Sequence, residues 1–256
     1  MPLLLSAKDP AAIDAAAQRL AEGSLVGMPT ETVYGLAADA DNATAVHRIF
    51  EAKGRPADHP LIVHLAAGSG AGGWRHGVDH YAREVPAFAA ALMQAFWPGP
   101  LTLILPRREG VAAVAAGGQD SVGLRCPAHP VAQALLKAAA ARGVNGVAAP
   151  SANRFGRVSP TTAAHVAEEF TALADADLLI LDGGACPVGI ESTIVDCTRP
   201  HPVLLRPGMV TTAQLEAACG QPVRERDEAA PRASGTLESH YAPRAKVRLM
   251  DARQLR

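Results

Sequence analysis

Short aliphatic runs alternate along this chain with longer segments whose apolar residues recur at helical spacing. In one such segment Ile13, Ala17 and Leu20 share a face and Gly23 follows them, which predicts a helix over 11–22. The same pattern predicts helices over 44–52, 79–96, 131–141, 161–170 and 211–218. The aliphatic runs predict strands over 25–28, 61–65, 101–105, 122–126, 147–149, 178–181, 193–195 and 203–205.

Interleaved strands and helices predict an α/β fold with helices packed on a sheet. Only loops join the strands predicted between residues 178 and 205, whereas parallel neighbours need a long crossover. We therefore expect a mixed parallel and antiparallel sheet in one main domain, residues 1–220. Residues 221–245 are polar, are interrupted by Gly and Pro, and contain the motif Ser239-His240-Tyr241-Ala242-Pro243, which predicts a linker. Residues 246–256 are too few for a domain.

The charge balance argues against bulk electrostatic binding to nucleic acid or to anionic membranes. The chain has 24 Lys and Arg against 25 Asp and Glu, a formal net charge of −1, which leaves room only for a local basic pocket.

The four cysteines form no C-x-x-C pair, so buried free thiols are expected rather than a zinc site. Without a basic leader or 18 continuous apolar residues, the protein is expected to be cytoplasmic with no membrane partner.

Candidate chemistry lies at the ends of the predicted elements. Residues 29–36 bring hydroxyls and a carboxylate to a strand end, which suits a polar substrate or an ordinary hydroxyl-rich turn. Lys53 and Arg55 flank a glycine and could converge on one anion. The alternative, a cation that complements a helix C-terminus, explains Lys53 but not Arg55. Arg125 at the end of a predicted strand indicates either a bound anion or a structural salt bridge.

A second group of small and polar residues follows the strand predicted over 147–149. Small residues there let backbone amides approach a phosphate, and Ser151 and Asn153 could hold a ribose or a metal-bound phosphate. Neither a Walker loop nor a dinucleotide fingerprint is present. With Arg206, four cations lie at element ends of a nearly neutral chain, which favours a polyphosphate ligand over covalent catalysis. His64 by itself is more typical of a satisfied core histidine.

The motifs PTETVYGL, KGRP, PLIVH, SVGLRCP, PSAN, GIESTIVD and LLRPGM, in this order, closely resemble the YrdC family of threonylcarbamoyl-AMP synthases. The resemblance implies a twisted mixed sheet with a basic concave cavity. It also implies synthesis of L-threonylcarbamoyladenylate and pyrophosphate from L-threonine, bicarbonate or CO2, and ATP with Mg2+, for the tRNA threonylcarbamoyl transferase machinery. Residues 239–243 resemble the linker of the two-domain branch, whose C-terminal domain is expected to be absent here.

The resemblance also assigns residues. Catalytic roles fall to Lys53 and Arg55. The implied L-threonine site consists of Thr32, His64, Arg125 and Ser192. The implied ATP site consists of Lys53, Arg55, His59, Ser121, Ala149, Ser151, Asn153, Ser159, Arg206 and Tyr241, with Tyr241 closing over the nucleotide. No protein side chain is expected to bind a metal, because Mg2+ would arrive on the ATP phosphates.

The sequence departs from the family motifs at three places, and two other functions stay open as hypotheses. His59 stands where the family usually has Asn, Phe155 interrupts its S-A-N-x-S-G motif, and Ser234-Gly235-Thr236-Leu237 replaces S-P-G-M. We expect altered ATP contacts rather than loss of activity. The other hypotheses are an RNA-binding module and carbamoyl transfer to a different acceptor, and direct tRNA binding is left open.

Overall fold

The computed structural model describes residues 1–68, 72–235, 248 and 250. Within these residues eleven strands form one sheet. The strands are β1 Leu3–Ser6, β2 Leu25–Met28, β3 Gly35–Asp39, β4 Ile62–His64, β5 Leu101–Pro106, β6 Ser121–Arg125, β7 Val147–Ala148, β8 Leu178–Asp182, β9 Thr193–Asp196, β10 Val203–Arg206 and β11 Arg224–Glu225. The helices are α1 Pro10–Ala21, α2 Ala43–Lys53, α3 Arg75–Tyr81, α4 Ala87–Phe96, α5 Pro130–Ala140, α6 Ala163–Glu169 and α7 Thr212–Cys219.

The strand order is β1-β8-β2-β3-β7-β4-β6-β5-β9-β10-β11, and the pairings confirm a mixed sheet. β4 and β6 are parallel, as are β5 and β9, whereas β5 and β6 are antiparallel. β9 and β10 are also antiparallel, as expected for strands joined by a short loop. This order interleaves strands that are distant in sequence, so residues from many segments meet at the strand ends.

The core lies on both faces of the sheet. Successive strand residues alternate between two apolar clusters: Leu25 belongs to one and Val26 to the other, and Ile180 and Leu181 divide in the same way. The second cluster includes the buried faces of α1 and α5, which pack against each other over the sheet. Helices therefore cover the sheet as the sequence pattern predicts. In the described part of the chain, no helix has the length and apolar character needed to cross a membrane.

Helix α2 carries part of the candidate site because its two ends are well defined. The Asn42 side chain accepts a hydrogen bond from the N–H of Ala45 and begins the helix. Gly54 ends it at φ 62°, a left-handed conformation that favours glycine. The turn at Gly54 directs Lys53 and Arg55 in different directions, which decides their different environments.

Several elements differ from the predicted ones. The single helix expected over 79–96 was wrong, because α3 and α4 are separate and Pro86 occupies the N-cap of α4, where a helix can begin but not continue. Strand β3 was missed, since it consists of one Gly, one Leu, two Ala and one Asp and has no β-branched residue. β1 and β11 were missed as well. Residues 224–235 also pack on the sheet, where Ala230 and Ala233 contact a buried cluster that includes Ile62. The domain boundaries stay predictions.

Candidate functional site

A concave cavity of about 490 Å3, including space open to solvent, lies where the loops after several strands meet. Its lining residues are Thr30, Thr32, Val33, Gly35, Arg55, Ile62, His64, Arg125, Ala149, Pro150, Ser151, Glu191, Ser192, Arg206, Ser234 and Gly235. The fold thus brings together all four members of the predicted threonine site and four of the ten members of the predicted ATP site.

Arg125 ends β6, and its guanidinium is held from three directions. Nη2 forms a buried ion pair with Oε1 of Glu31 at 2.7 Å, and Nη1 donates to Oγ1 of Thr32 at 2.9 Å. Nε donates to the carbonyl of Gly99 at 3.3 Å. Glu31 in turn accepts the N–H of Ala128 at 3.1 Å. Arg125 is therefore both a structural ion-pair partner and part of the cavity wall, so neither alternative left open by the sequence excludes the other.

His64 ends β4 beside Arg125, because the two residues pair in register across parallel strands. The imidazole is buried, and its Nδ1 lies 3.2 Å from the carbonyl oxygen of Ile62. Burial, followed by the neighbouring Arg125 charge, lowers the pKa of His64 to about 3. A neutral ring has one N–H, which the Ile62 carbonyl accepts, so near pH 7 the other nitrogen can only accept a hydrogen bond and adds no charge to the cavity.

Ser192 and Arg206 form a second polar corner. Nε and Nη2 of Arg206 donate to the carbonyl of Ser192 at 3.0 and 2.9 Å, and Nη2 also donates to Ser192 Oγ at 3.1 Å. The Ser192 hydroxyl lies 2.7 Å from Oγ1 of Thr102. A Cβ at Gly208 would lie 2.5 Å from the backbone N of Thr193, so only glycine allows the turn after β10 to approach this strand.

Arg55 directly follows the end of α2, lines the cavity, and meets the chain segment that follows β11. Its Nη2 donates to the carbonyl of Pro60 at 2.9 Å and to Ser234 Oγ at 3.2 Å. Arg206 Nη1 donates to the carbonyl of Ser234 at 2.9 Å. Two arginines predicted to contact ATP are therefore linked through a single serine that sequence reasoning did not assign to the site.

Lys53 does not line the cavity, which differs from its predicted place in the ATP site. Its ammonium is buried and donates to the carbonyl of Ser151 at 2.6 Å and to that of Asn153. Burial, followed by the charge of Arg55, holds the pKa of Lys53 well below its usual range. In this structure Lys53 fixes the backbone of the loop after β7, and Ser151 of that loop forms part of the wall.

The other predicted ATP residues divide by location. Ala149 and Ser151 line the cavity, whereas the Asn153 side chain donates to the carbonyls of Arg154 and Arg157, both at 2.8 Å. Ser159 does not line the cavity. Its hydroxyl donates a hydrogen bond to Glu191, and Glu191 lines the cavity.

Two more residues of the predicted ATP site, Ser121 and His59, do not line the cavity, and a third is not among the residues that the structure describes. Ser121 lines a smaller adjoining recess beneath Arg232 and Ser234. His59 packs against Phe155 instead of lining the cavity. Tyr241 lies outside the described residues. The structure therefore does not bring the whole predicted ATP set to one surface.

Sequence reasoning placed the Glu31 carboxylate only among groups that suit a polar substrate, and it assigned no role to Glu191 or Ser234. Two of these residues lie in segments that the sequence analysis had already marked as candidate chemistry. Glu31 follows Thr30 in the hydroxyl-rich segment, and Glu191 precedes Ser192 in the motif GIESTIVD. Ser234 was named only as part of the segment that departs from the family's S-P-G-M linker motif. These three residues act through hydrogen bonds to residues that are distant in sequence, and such partners cannot be predicted from one segment at a time.

The described lining residues include three arginines and one carboxylate, Glu191. Because Glu31 neutralises Arg125 from behind, the basic character of the cavity stays a prediction. Within residues 1–68 and 72–235, no group of three or more His, Cys, Asp or Glu side chains could hold a metal ion. Cys126 and Cys197 are buried free thiols, whereas Cys186 and Cys219 are half-buried.

Comparison with known proteins shows relatives along most of the chain. The family model for Sua5, YciO and YrdC proteins, described as "Telomere recombination", matches residues 18–208. The threonylcarbamoyl-AMP synthase of Pyrococcus abyssi is 45% identical, over 91% of this chain and 66% of that protein. The Bacillus subtilis protein of the same name is 41% identical, over 96% of this chain and 68% of that protein. The chain thus spans about two thirds of the length of these curated relatives.

A solved structure supports the fold and the family together. The structure of P. abyssi Sua5 complexed with L-threonine superposes with a TM-score of 0.84 at 42% identity, covering 96% of this chain and 70% of that chain. The expectation that the C-terminal domain is absent was wrong, because a model of the threonylcarbamoyl-AMP synthase C-terminal domain matches residues 210–256. With both matches and the shared fold, this chain belongs to the Sua5/YciO/YrdC family.

Proposed function

We propose that this chain catalyses the synthesis of L-threonylcarbamoyladenylate, with pyrophosphate as the second product. The observation that carries the proposal is that Thr32, His64 and Arg125, which adjoin one another, line the same cavity as Arg55 and Arg206, which Ser234 links. The first group suits the hydroxyl, amine and carboxylate of an amino acid, and the second suits phosphates. The curated relatives carry the name of this activity, and the P. abyssi structure contains L-threonine.

The chemistry needs orientation and charge stabilisation more than a reactive side chain. The amine of L-threonine adds to CO2 and releases a proton, giving a carbamate. A carbamate oxygen then attacks the α-phosphorus of ATP, the bond to the β-phosphate breaks, and pyrophosphate leaves with its electron pair. Mg2+ bound with ATP would reduce the charge on the phosphates.

Within this scheme the lining residues bind and orient the substrates. The Arg125 guanidinium, held by Glu31, would receive the carboxylate of L-threonine, and Thr32 and Ser192 would receive its polar groups. His64 stays neutral near pH 7, so it would hydrogen-bond to the substrate without attracting the phosphates. Arg55 and Arg206 would stabilise charge on the phosphates as pyrophosphate leaves. Lys53 would act by holding the Ser151 loop. The product would serve the tRNA threonylcarbamoyl transferase machinery.

The test is pyrophosphate release from ATP with Mg2+ and bicarbonate, comparing L-threonine with L-serine and with no amino acid. We expect release that requires L-threonine and falls at least tenfold in Arg55→Ala. Arg142→Ala is the matched control, because Arg142 pairs with Asp14 on the α1 and α5 side of the sheet and does not line the cavity. No release by folded wild-type protein would overturn the proposal. Tight RNA binding in that case would favour the RNA-binding hypothesis.

A further inference from the structure

Strands β4 and β6 carry two residues of the predicted threonine site at their carboxyl ends. His64 and Arg125 pair in register across these parallel strands. The N–H of Leu65 then donates to the carbonyl of Arg125 at 2.8 Å, and among the described residues this is the last backbone hydrogen bond between the two chain segments. The segments that follow, over 66–68 and 126–129, need other contacts to stay at this spacing.

Gln133 on α5 supplies such contacts. Its Oε1 accepts the N–H of Ala67 at 2.6 Å, and its Nε2 donates to the carbonyl of Pro127 at 2.7 Å. Nε2 also lies 3.5 Å from the carbonyl oxygen of Leu65. One side-chain amide, with a donor and an acceptor, therefore joins the segment after β4 to the segment after β6 where the strand pairing ends.

The hydrogen bond to Pro127 also bears on the ion pair of Arg125. The next residue, Ala128, donates its N–H to Oε2 of Glu31 at 3.1 Å, while Oε1 of Glu31 binds Arg125 at 2.7 Å. A shift of this segment would therefore move the carboxylate that orients the guanidinium. Gln133 is half-buried and does not line the cavity, so it can act on a ligand only through these neighbours.

We propose that Gln133 is a positioning residue that fixes the spacing of His64 and Arg125 for the amino-acid substrate, by joining the segments after β4 and β6. The inference rests on the proposed function for the identity of that substrate. Without the two hydrogen bonds the segments would sample wider separations, and only a fraction of the molecules would have a competent threonine site. Arg55 and Arg206 reach the cavity from α2 and β10, so phosphate binding should depend little on Gln133.

The first experiment measures the affinities of L-threonine and of inorganic pyrophosphate by calorimetry. In Gln133→Met, which keeps the length of the side chain and removes both hydrogen bonds, we expect the Kd of L-threonine to rise about tenfold. The Kd of pyrophosphate should change by less than about twofold, as for a surface substitution. Gln18→Met is the matched control, because Gln18 is exposed on α1, pairs with Glu22 and does not line the cavity. Equal weakening of both ligands, or unchanged L-threonine binding, would overturn the inference.

A second variant makes the test independent of one substitution. Gln133→Glu retains an acceptor for the N–H of Ala67 but turns a second acceptor toward the carbonyl of Pro127. It should therefore also weaken L-threonine binding and leave pyrophosphate binding unchanged. Normal L-threonine binding in this variant would show that the link to Pro127 does not position the site, which contradicts the proposal.

Amide hydrogen exchange follows the strand ends directly and needs neither ligand nor activity. The amide of Leu65 should exchange faster in Gln133→Met than in the wild type, whereas the amide of Leu61, bonded to the carbonyl of Ala115 before β4, should not change. Unchanged exchange of Leu65, or equal acceleration of both amides, would defeat the proposal. If the wild type binds pyrophosphate but not L-threonine, the proposed function fails together with the substrate part of this inference, while exchange of Leu65 still decides whether Gln133 joins the strand ends.

Discussion

His59 and Phe155, two residues that depart from the family pattern, contact each other. Their ring centroids lie 5.6 Å apart at an interplanar angle of 63°, an edge-to-face arrangement. Burial, followed by the charge of Arg55, lowers the pKa of His59, which favours the neutral ring in this contact. The pair joins the loop after α2 to the loop after β7. The two departures therefore belong to one packing feature beside the cavity.

This contact predicts that the two residues are energetically coupled. In a double-mutant cycle of His59→Ala and Phe155→Ala, urea unfolding should give a coupling free energy of about 0.5–1.5 kcal/mol, as for other aromatic pairs. A cycle of Phe155→Ala with His76→Ala on α3 serves as the control and should be additive. Additivity of the His59 and Phe155 changes would contradict the prediction.

Glu31 should control the orientation of the Arg125 guanidinium and therefore the binding of L-threonine. Replacing Glu31 by Gln removes one partner of a buried ion pair whose atoms are 2.7 Å apart, so we expect the free energy of unfolding to fall by about 3 kcal/mol. Because Arg125 also loses its orientation, the KM for L-threonine should rise more than the KM for ATP. Steady-state kinetics with each substrate varied measures this. Equal changes in both KM values would indicate a general structural effect instead.

His64 should make stability depend on pH in acid. Its pKa is about 3 in the folded protein against an ordinary value of 6.5, so below pH 6.5 the unfolded chain binds a proton that the folded protein does not. The stability associated with the neutral ring is complete above pH 6.5 and is lost as pH falls toward 3. The unfolding free energy of the wild type relative to His64→Gln should fall by about 1.4 kcal/mol per pH unit in this window.

Chemical denaturation of both proteins at pH 7, 6, 5 and 4 measures this difference. Arg125 is present in both, so its charge contributes equally to the background. Parallel curves for the two proteins would show that His64 titrates in the folded state near its ordinary pKa, and would refute the prediction.

Lys53 is expected to act through the backbone of the Ser151 loop. Lys53→Met retains the apolar stem but leaves the carbonyls of Ser151 and Asn153 without their buried donor, so the free energy of unfolding should fall by about 2 kcal/mol. Catalytic turnover should fall as well, because Ser151 lines the cavity. Amide hydrogen exchange of residues 151–155 should become faster. Unchanged exchange together with lost ATP binding would instead support the direct phosphate contact predicted from the sequence.

The fold class could be predicted from the sequence, since aliphatic runs of strand length and amphipathic helices are local patterns that are kept in the folded state. The sequence also placed Thr32, His64, Arg125 and Ser192 in one candidate site, through motifs whose order resembles a known family. It failed where a local pattern was weak, as in β3, or where a proline interrupted an otherwise apolar segment, as at Pro86.

The partners that these residues contact could not be predicted from the sequence, because they depend on tertiary packing. Strand order places His64 beside Arg125 and brings Glu31 behind it, and none of these pairings follows from spacing along the chain. Lys53 and Arg55 are neighbours in one motif, yet the left-handed turn at Gly54 sends one to backbone carbonyls and the other to the cavity. Hydrogen bonds and ion pairs act over about 3 Å, so their partners are determined by packing and not by sequence distance.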